Sequence, residues 1–469
     1  MLFRTIRILV AAAAIVALTV PAAGAAPRML MGFQDDPSFR WAKDSHTMLD
    51  RAAQTGVSII RTTADWNAIA PTKPANPTDS FDPAYQLADF DELARSAQQR
   101  GLELLITIWG TPKWANGGKG PNVAPRNVAD LKAFAQALAD RYSGRHTGFP
   151  YVARWSVWNE PNLDLFLTPQ FSRSGKIVGP ALYAKLYRAA YAGIKAGNPA
   201  AQVAIGETSA RGRDRKLPGV SGSISPGRFA ELLAKAAPTL KFDAWAQHPY
   251  PTVPNMKPLQ RVKWPNVTLP SLKKFETSLD RWFHRKGIPI WITEYGHETK
   301  PGEPRGVTVS QQRAYAATAI NYARRDPRVQ MFIWFILRDD ASSKWQSGLY
   351  SQNDAAKPAL ATWSSLASLV NGVTVKVKAG RPNPVVRVAM PKLAYYAAPG
   401  ELVGMTYRVY DGSKLIAVSQ PAVPLGSNGS ISIPLAFTPV AGKTYTLKIE
   451  ANGASGATES VTAALVSAK

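Results

Sequence analysis

From residue 28 to about 371 the chain alternates short apolar runs with amphipathic stretches, and the pair recurs eight times. Few folds accept such a repeat. The apolar runs are Met29–Phe33, Ser58–Arg61, Glu103–Ile108, Ala153–Trp158, Gln202–Ile205, Ala244–Gln247, Ile290–Thr293 and Gln330–Ile336. They are short and apolar on both faces, as strands of a parallel sheet covered on each side must be. Helical faces lie between them: Leu131, Phe134, Leu138 and Tyr142; Phe229, Leu232, Leu233 and Ala236; Leu272, Phe275, Leu279 and Trp282. Pro180 and Pro270 sit where a first helical turn tolerates proline, and Gly101, Gly197 and Gly287 follow helix ends. Eight strand–helix pairs over residues 27–371 predict an α/β fold, a (β/α)₈ TIM barrel with long loops. An open doubly wound sheet is the alternative, but no glycine fingerprint follows the first strand.

The pattern changes near Gly372. Residues 372–469 carry no convincing helix, and strand-like segments at Val385–Ala389, Met405–Tyr410, Ile431–Leu435 and Tyr445–Ile449 are separated by turns such as Asp411-Gly412, Asn428-Gly429 and Asn452-Gly453. This predicts a C-terminal immunoglobulin-like β-sandwich, an accessory domain. Tyr395 and Tyr396 are its candidate aromatics, expected to pack rather than to form a sugar platform.

Residues 1–26 read as an export signal: Arg4 and Arg7, then the apolar run Ile8–Val20, then Pro21 and the small residues Ala23-Gly24-Ala25. An uncleaved anchor is disfavoured because the run falls short of the roughly 20 residues that a span needs. The expectation is a secreted protein, able to stay at the cell envelope, with no membrane span after cleavage. There is no cysteine, so no disulfide can form and packing must supply the stability. The formal charge is +24, of which Arg4 and Arg7 supply two. Such an excess favours an anionic partner, an acidic glycan or envelope polymer, or reflects an adapted surface without a dedicated ligand. No nucleic-acid-binding module is found. A monomer is expected.

In a barrel of this kind the chemistry lies at the C-terminal strand ends. The fourth strand ends in Asn159-Glu160-Pro161-Asn162, and the seventh in Glu294-Tyr295-Gly296. A carboxylate directly after a buried strand is costly unless it has partners or work. Strands four and seven lie on opposing parts of the rim, so Glu160 and Glu294 can approach across the mouth. Paired carboxylates suit acetal hydrolysis: one donates a proton to the leaving oxygen and the other attacks the anomeric carbon, at a separation of about 5–5.5 Å for a covalent, retaining route. One ionised glutamate also raises the pKa of its neighbour, which keeps the acid protonated.

The strand-four segment Trp158-Asn159-Glu160-Pro161-Asn162-Leu163 with Phe166, together with the strand-seven glutamate, resembles the retaining glycoside hydrolases of the large barrel clan. Within the clan it is most similar to family 39, with family 5, the cellulase-like family, the near alternative. Arg61 with Trp66 and Pro71, the segment 110–115 (Gly-Thr-Pro-Lys-Trp-Ala), and His248-Pro249-Tyr250 extend the likeness across most of residues 29–365. The resemblance implies Glu160 as acid/base, Glu294 as nucleophile, and Asn159 as a partner of the sugar 2-hydroxyl. Arg61 and Tyr250 are placed to hold Glu294, and His248 either lines the pocket or satisfies a loop carbonyl. Trp109, Trp114 and Trp334 fall at strand ends three and eight as stacking candidates, Trp334 foremost, with Trp345 a weaker one. Phe335 alternates with Trp334, so one of the two points into the barrel wall. His297 is expected to be a loop residue. The histidines show no metal spacing, and neither metal nor cofactor is expected.

After the eighth strand, Arg338-Asp339-Asp340 is expected to brace its loop. Arg211, Arg213, Arg215 and Lys216 follow strand five, and Lys257, Arg261 and Lys263 follow strand six, which puts both groups on the active face. They fit either an acidic substrate or a solvated basic surface. The reading is therefore a glycosidase acting on an extracellular poly- or oligosaccharide by double displacement. Its rivals are a non-catalytic, glycan-binding scaffold barrel and a transglycosylase.

Overall fold

Eight parallel strands close on themselves in chain order in a computed structural model that describes residues 29–468, apart from 341, 343–344, 371–372, 391–392, 427–429 and 455. The leader expected over 1–26, the 428–429 turn and the boundary at 372 lie outside the described residues. The barrel strands are β1 (Leu30–Gln34), β2 (Ile59–Asp65), β3 (Glu103–Trp109), β4 (Arg154–Val157), β5 (Gln202–Thr208), β6 (Ala244–Gln247), β7 (Ile290–Tyr295) and β8 (Val329–Phe335). β1 pairs β8 from Leu30↔Met331 to Gln34↔Phe335, which seals the barrel.

Side chains alternate across each strand, and this sorts the residues into two populations. Outward positions such as Ile60, Ile106, Ile205, Trp245, Ile292, Phe332 and Trp334 join the apolar layer between barrel and helices. Inward positions at the lower levels, among them Leu30, Ile59, Leu105, Ala204, Trp291, Met331 and Ile333, fill the barrel as a separate apolar cluster. Further along β1, β2, β3, β4 and β7, Gln34, Arg61, Thr107, Ser156 and Thr293 are buried polar residues of that inward parity. The middle of the barrel is apolar packing, with the Arg154–Glu103 pair at its N-terminal end, and polar residues return toward the C-terminal strand ends.

Helix packing explains one glycine differently from the sequence reading. Gly197 is the last residue of the helix Gly179–Gly197 rather than a cap beyond it. A Cβ there would come 2.3 Å from Gln136 O, and one on Gly193 would come 2.2 Å from Lys132 O. Both glycines are close-approach sites against the helix Val128–Arg141.

The C-terminal residues form two sheets. One orders its strands β12 (Lys414–Ser419), β11 (Leu402–Asp411), β15 (Thr444–Asn452), β16 (Thr458–Ala468) and β9 (Val373–Lys378), with β13 (Ala422–Pro424) also on β11; the other pairs β10 (Val385–Ala389) with β14 (Ser430–Pro434). Val386, Val388, Ile431 and Ile433 share one apolar core with Val403, Tyr407, Leu447 and Leu465 of the larger sheet. A four-residue helix, Leu393–Tyr396, interrupts a region expected to hold none, and Tyr396 is exposed. Among the described residues no helix is long and apolar enough to cross a membrane.

Candidate active site

The chain turns sharply where β4 ends. Trp158 (φ 71°) and Glu160 (φ 37°) adopt the left-handed backbone that most side chains avoid, as does Glu207 (φ 48°) in β5. Three of the seven non-glycine residues with positive φ among the described residues thus gather at one place, a concentration of strain typical of functional sites. Trp158 is clamped by packing and by its indole N–H, which donates to Phe166 O at 2.7 Å.

The side chains meet around one imidazole. His248 Nδ1 lies 3.1 Å from Glu160 Oε1 and 3.6 Å from Glu294 Oε2. On the ring's other side, Nε2 lies 2.7 Å from Glu207 Oε2. Arg61 Nη1 donates to Glu294 Oε1 at 2.6 Å, and the Tyr250 hydroxyl donates to Glu294 Oε2 at 3.1 Å. Arg61 Nη2 reaches Asn159 Oδ1 at 3.0 Å and Glu207 Oε2 at 3.3 Å, its Nε donates to Thr107 Oγ1 at 2.9 Å, and its Nη1 also meets Gln34 Oε1. Thr293 Oγ1 donates to Glu207 at 2.7 Å. Arg61, His248 and Glu207 are fully buried, while Glu294 keeps a small opening and Glu160 a larger one.

The electrostatics set Glu160 and Glu207 apart. Burial raises the Glu160 carboxyl above its ordinary value and Glu294 adds to that rise, while His248 and Arg61 act against it. For Glu207, burial also pushes upward, but the Arg61 charge and the His248 contact outweigh it and bring the carboxyl down to about 2. For His248, burial lowers the pKa, and Glu294, Glu160 and Glu207 outweigh that and lift it to about 9. His248 is therefore an imidazolium at neutral pH. Burial raises the Tyr250 hydroxyl well above its usual range, so it remains a donor.

These groups open into a cleft of about 1630 Å³. Asn159, Glu160, Tyr250, Glu294 and Trp109 line it. Trp334, the foremost stacking candidate in the sequence, does not. It has the outward parity, is fully buried against Trp363 and Tyr295, and donates its indole N–H to Ser347 O at 2.8 Å. Its neighbour Phe335 takes the inward place and faces the cleft with Trp345. Trp114 also lies away from the cleft, edge-on to Trp66 and donating to Ala70 O at 2.8 Å. Trp41, unnoticed in the sequence, stands on the rim at 63% exposure.

Glu207 is the larger omission. The strand-five candidate Gln202–Ile205 stops two residues short of it, yet Glu207 bears the same signal as Glu160 and Glu294, an acid closing an apolar strand. The loop after β8 is braced as expected but through other partners. Arg338 pairs with Asp44 at 2.6 Å and Asp354 at 3.1 Å, and Lys357 pairs with Asp339 at 2.6 Å. His297 is a buried loop residue 3.0 Å from Met256 O. Among the described residues no group of three or more His, Asp or Glu side chains is arranged for a metal ion.

A closed parallel barrel with carboxylates facing each other from the ends of its fourth and seventh strands defines a glycosidase of the barrel clan. The sequence model of the cellulases, glycosyl hydrolase family 5, matches residues 24–339, and the chain belongs to that family. This reverses the order read from the motifs, which placed family 39 ahead of family 5. The curated proteins include a β-glucosidase-like SFR2, chloroplastic, of Oryza sativa subsp. japonica, 25% identical over 131 residues; the match covers 28% of this chain and only 19% of that protein. Among solved structures, a family 39 glycoside hydrolase from Bacteroides cellulosilyticus WH2 is similar at TM-score 0.53 and 19% identity, covering 88% of this chain and 80% of that one. GH5_18 from Streptomyces cattleya is similar at TM-score 0.54 and 16% identity, covering 76% and 86%. The exo-β-1,4-mannosidase Op5Man5 from Opitutaceae bacterium strain TAV5 is similar at TM-score 0.51 and 16% identity, covering 73% and 60%. At these identities the likeness speaks to the fold alone.

Proposed function

We propose that this glycosidase cleaves an exported-side polysaccharide or long oligosaccharide by double displacement, with Glu294 as nucleophile and Glu160 as acid/base. The observation that carries the reading is that both carboxyls reach the same imidazole nitrogen, at 3.1 and 3.6 Å, while their surroundings differ. This juxtaposition suits the about 5–5.5 Å separation used for a covalent intermediate. Arg61 and Tyr250 fix both oxygens of Glu294, which aims the carboxylate and leaves it to attack. Glu160, raised by burial, carries the proton for the leaving oxygen. The bond from the anomeric carbon to that oxygen breaks as the bond to Glu294 forms. Glu160, now ionised, then takes a proton from the water that releases the sugar. Asn159 has its Oδ1 committed to Arg61, which leaves its NH₂ to meet a hydroxyl of the sugar.

The cleft exceeds the about 300–1,000 Å³ of a site for one small ligand, which favours a substrate of several sugar units. Export rests on the basic, apolar and small-residue sequence of residues 1–26. The test is azide rescue. Glu160→Ala and Glu294→Ala should each lose on the order of 10³-fold in rate, about 4 kcal/mol, and azide should give glycosyl azides of opposite anomeric configuration from the two variants. Near-normal turnover by Glu294→Ala refutes the scheme.

A further inference from the structure

Resting on the hydrolase reading above, we infer that the cleft takes an anionic glycan, whose carboxylate or sulfate groups lie along a cationic shelf built by the loops after β5 and β6. Of the seven basic residues in these loops, Arg211, Arg213, Arg261 and Lys263 line the same cavity as Glu160 and Glu294. Arg215 and Lys257 lie outside it, and Lys216 is turned to the carbonyls of Ser172 and Arg173.

All four shelf cations are exposed, and among the described residues none has a carboxylate within 4.0 Å. The acids of the cleft are instead already engaged elsewhere. Arg40 pairs with Asp36 at 3.6 Å and Asp89 at 2.7 Å, Asp65 caps a helix through Asn67 N at 3.0 Å, and Glu298 accepts from Gln346 N at 3.3 Å. The carboxylates of one wall are thus held by Arg40 and by backbone N–H groups, and the other wall presents cations without a carboxylate partner beside the reacting centre. A run of like charge along one wall of a cleft draws ligands of the opposite sign to that wall.

The shelf is also held in place. Val267 N donates to Ala210 O at 2.9 Å, Gly212 N donates to Asn266 Oδ1 at 3.0 Å, and Arg211 Nη1 donates to Thr252 O at 2.9 Å. A Cβ on Gly212 would sit 2.0 Å from Ile224 C, so the β5 loop lies flat against the chain that follows it. These ties fix the backbone of both loops relative to each other, so the ordering left to binding is that of the side chains alone. Guanidinium groups suit planar carboxylates and sulfates through paired N–H donors.

The test is calorimetric binding to Glu160→Gln, which mimics the protonated acid without turning substrate over. The probes are a hexagalacturonate, a heparin hexasaccharide and the neutral cellohexaose. Tighter binding of one or both anionic probes, about tenfold or more over the neutral one and weakening from about 0.05 to 0.3 M NaCl as screening shortens, supports the inference; which anionic probe wins separates uronate from sulfate. Adding Arg213→Gln and Lys263→Gln should remove most of that preference, while adding Arg215→Gln and Lys257→Gln, from the same loops but outside the cleft, should leave it. Equal binding of all three probes, no binding of any, or equal losses in the two double variants overturns it. Labelling of wild-type Glu294 by a 2-fluoroglycoside reports the hydrolase reading separately: a labelled protein without anionic preference loses only the shelf, and an unlabelled one that prefers anions loses only the mechanism.

Discussion

Replacing Glu207 by Gln should strip the site of the charge that its two cations share. The Glu207 carboxyl lies at about 2 against an ordinary 4.5. At about 1.4 kcal/mol per pH unit, its ionisation contributes on the order of 3 kcal/mol. Because the folded value is depressed, that stability is fully present above pH 4.5 and is lost as pH falls through about 2. An independent route agrees: removing one partner of a buried ion pair costs about 3–5 kcal/mol, and here Arg61 and His248 would both be left short. Thirteen tryptophans occur in the chain, all before residue 372, so urea unfolding followed by indole fluorescence reports the barrel alone. Glu207→Gln should lower the barrel's stability by about 3 kcal/mol at pH 7 and flatten its dependence on pH between 2 and 5. With five histidines in the chain, NMR titration can follow His248, whose pKa of about 9 should fall in the variant. Should Glu207→Gln fail to fold, Thr293→Val removes a single 2.7 Å hydrogen bond to the same oxygen and should cost about 1.5–3 kcal/mol. An unchanged unfolding midpoint together with an unchanged His248 titration would show that Glu207 does not organise the site.

Four further outcomes follow from the geometry. Arg61→Lys keeps a charge but loses the fork that joins Glu294, Asn159 and Glu207, so kcat should fall by about tenfold or more with KM little changed, read from steady-state kinetics on an aryl glycoside. Tyr250→Phe removes a donor to Glu294 Oε2, and a drop of about tenfold in kcat/KM corresponds to a hydrogen bond of about 1.5 kcal/mol to a charged group. Since the Glu160 carboxyl is raised, activity should be full below its pKa and fall as pH rises through it, and Glu160→Gln should erase that alkaline limb for substrates with good leaving groups. Trp334→Ala should destabilise the barrel by about 3–5 kcal/mol in urea unfolding, whereas Phe335→Ala should chiefly raise KM, since only Phe335 borders the cleft.

The barrel was legible because its strands are buried on both faces and read as unbroken apolar runs; all eight candidates overlap observed strands. The two carboxyls that meet in the cleft were legible for the complementary reason, since Glu160 and Glu294 are acids ending such runs. Glu207 carries the same mark but follows Gly206, where the apolar run stops and the β5–β6 register shifts. The orientation of Trp334 depended on strand parity, which fixes that Trp334 and Phe335 oppose each other but not which faces the cleft until the register with β1 is known. In the C-terminal domain, β12 is mostly exposed and β13 has three residues, so neither carries a strong apolar pattern. β9 and β16 are long enough, but their pairing is parallel and joins the two ends of the domain, a contact that no local signal announces.

The arrangement around His248 has an effect on how the reaction would proceed. Arg61 and His248 bring two positive charges to the enclosed site, and Glu207 a negative one. In the proposed double displacement a Glu294 carboxylate would give up its charge on forming the ester, and in the same event Glu160 would release its proton to the leaving oxygen and take on that charge. The sum is the same on both sides of the step. The fixed cations need no new counter-ion and the surrounding dipoles need little reorientation, because the negative charge only moves between two carboxyls that face the same imidazole nitrogen.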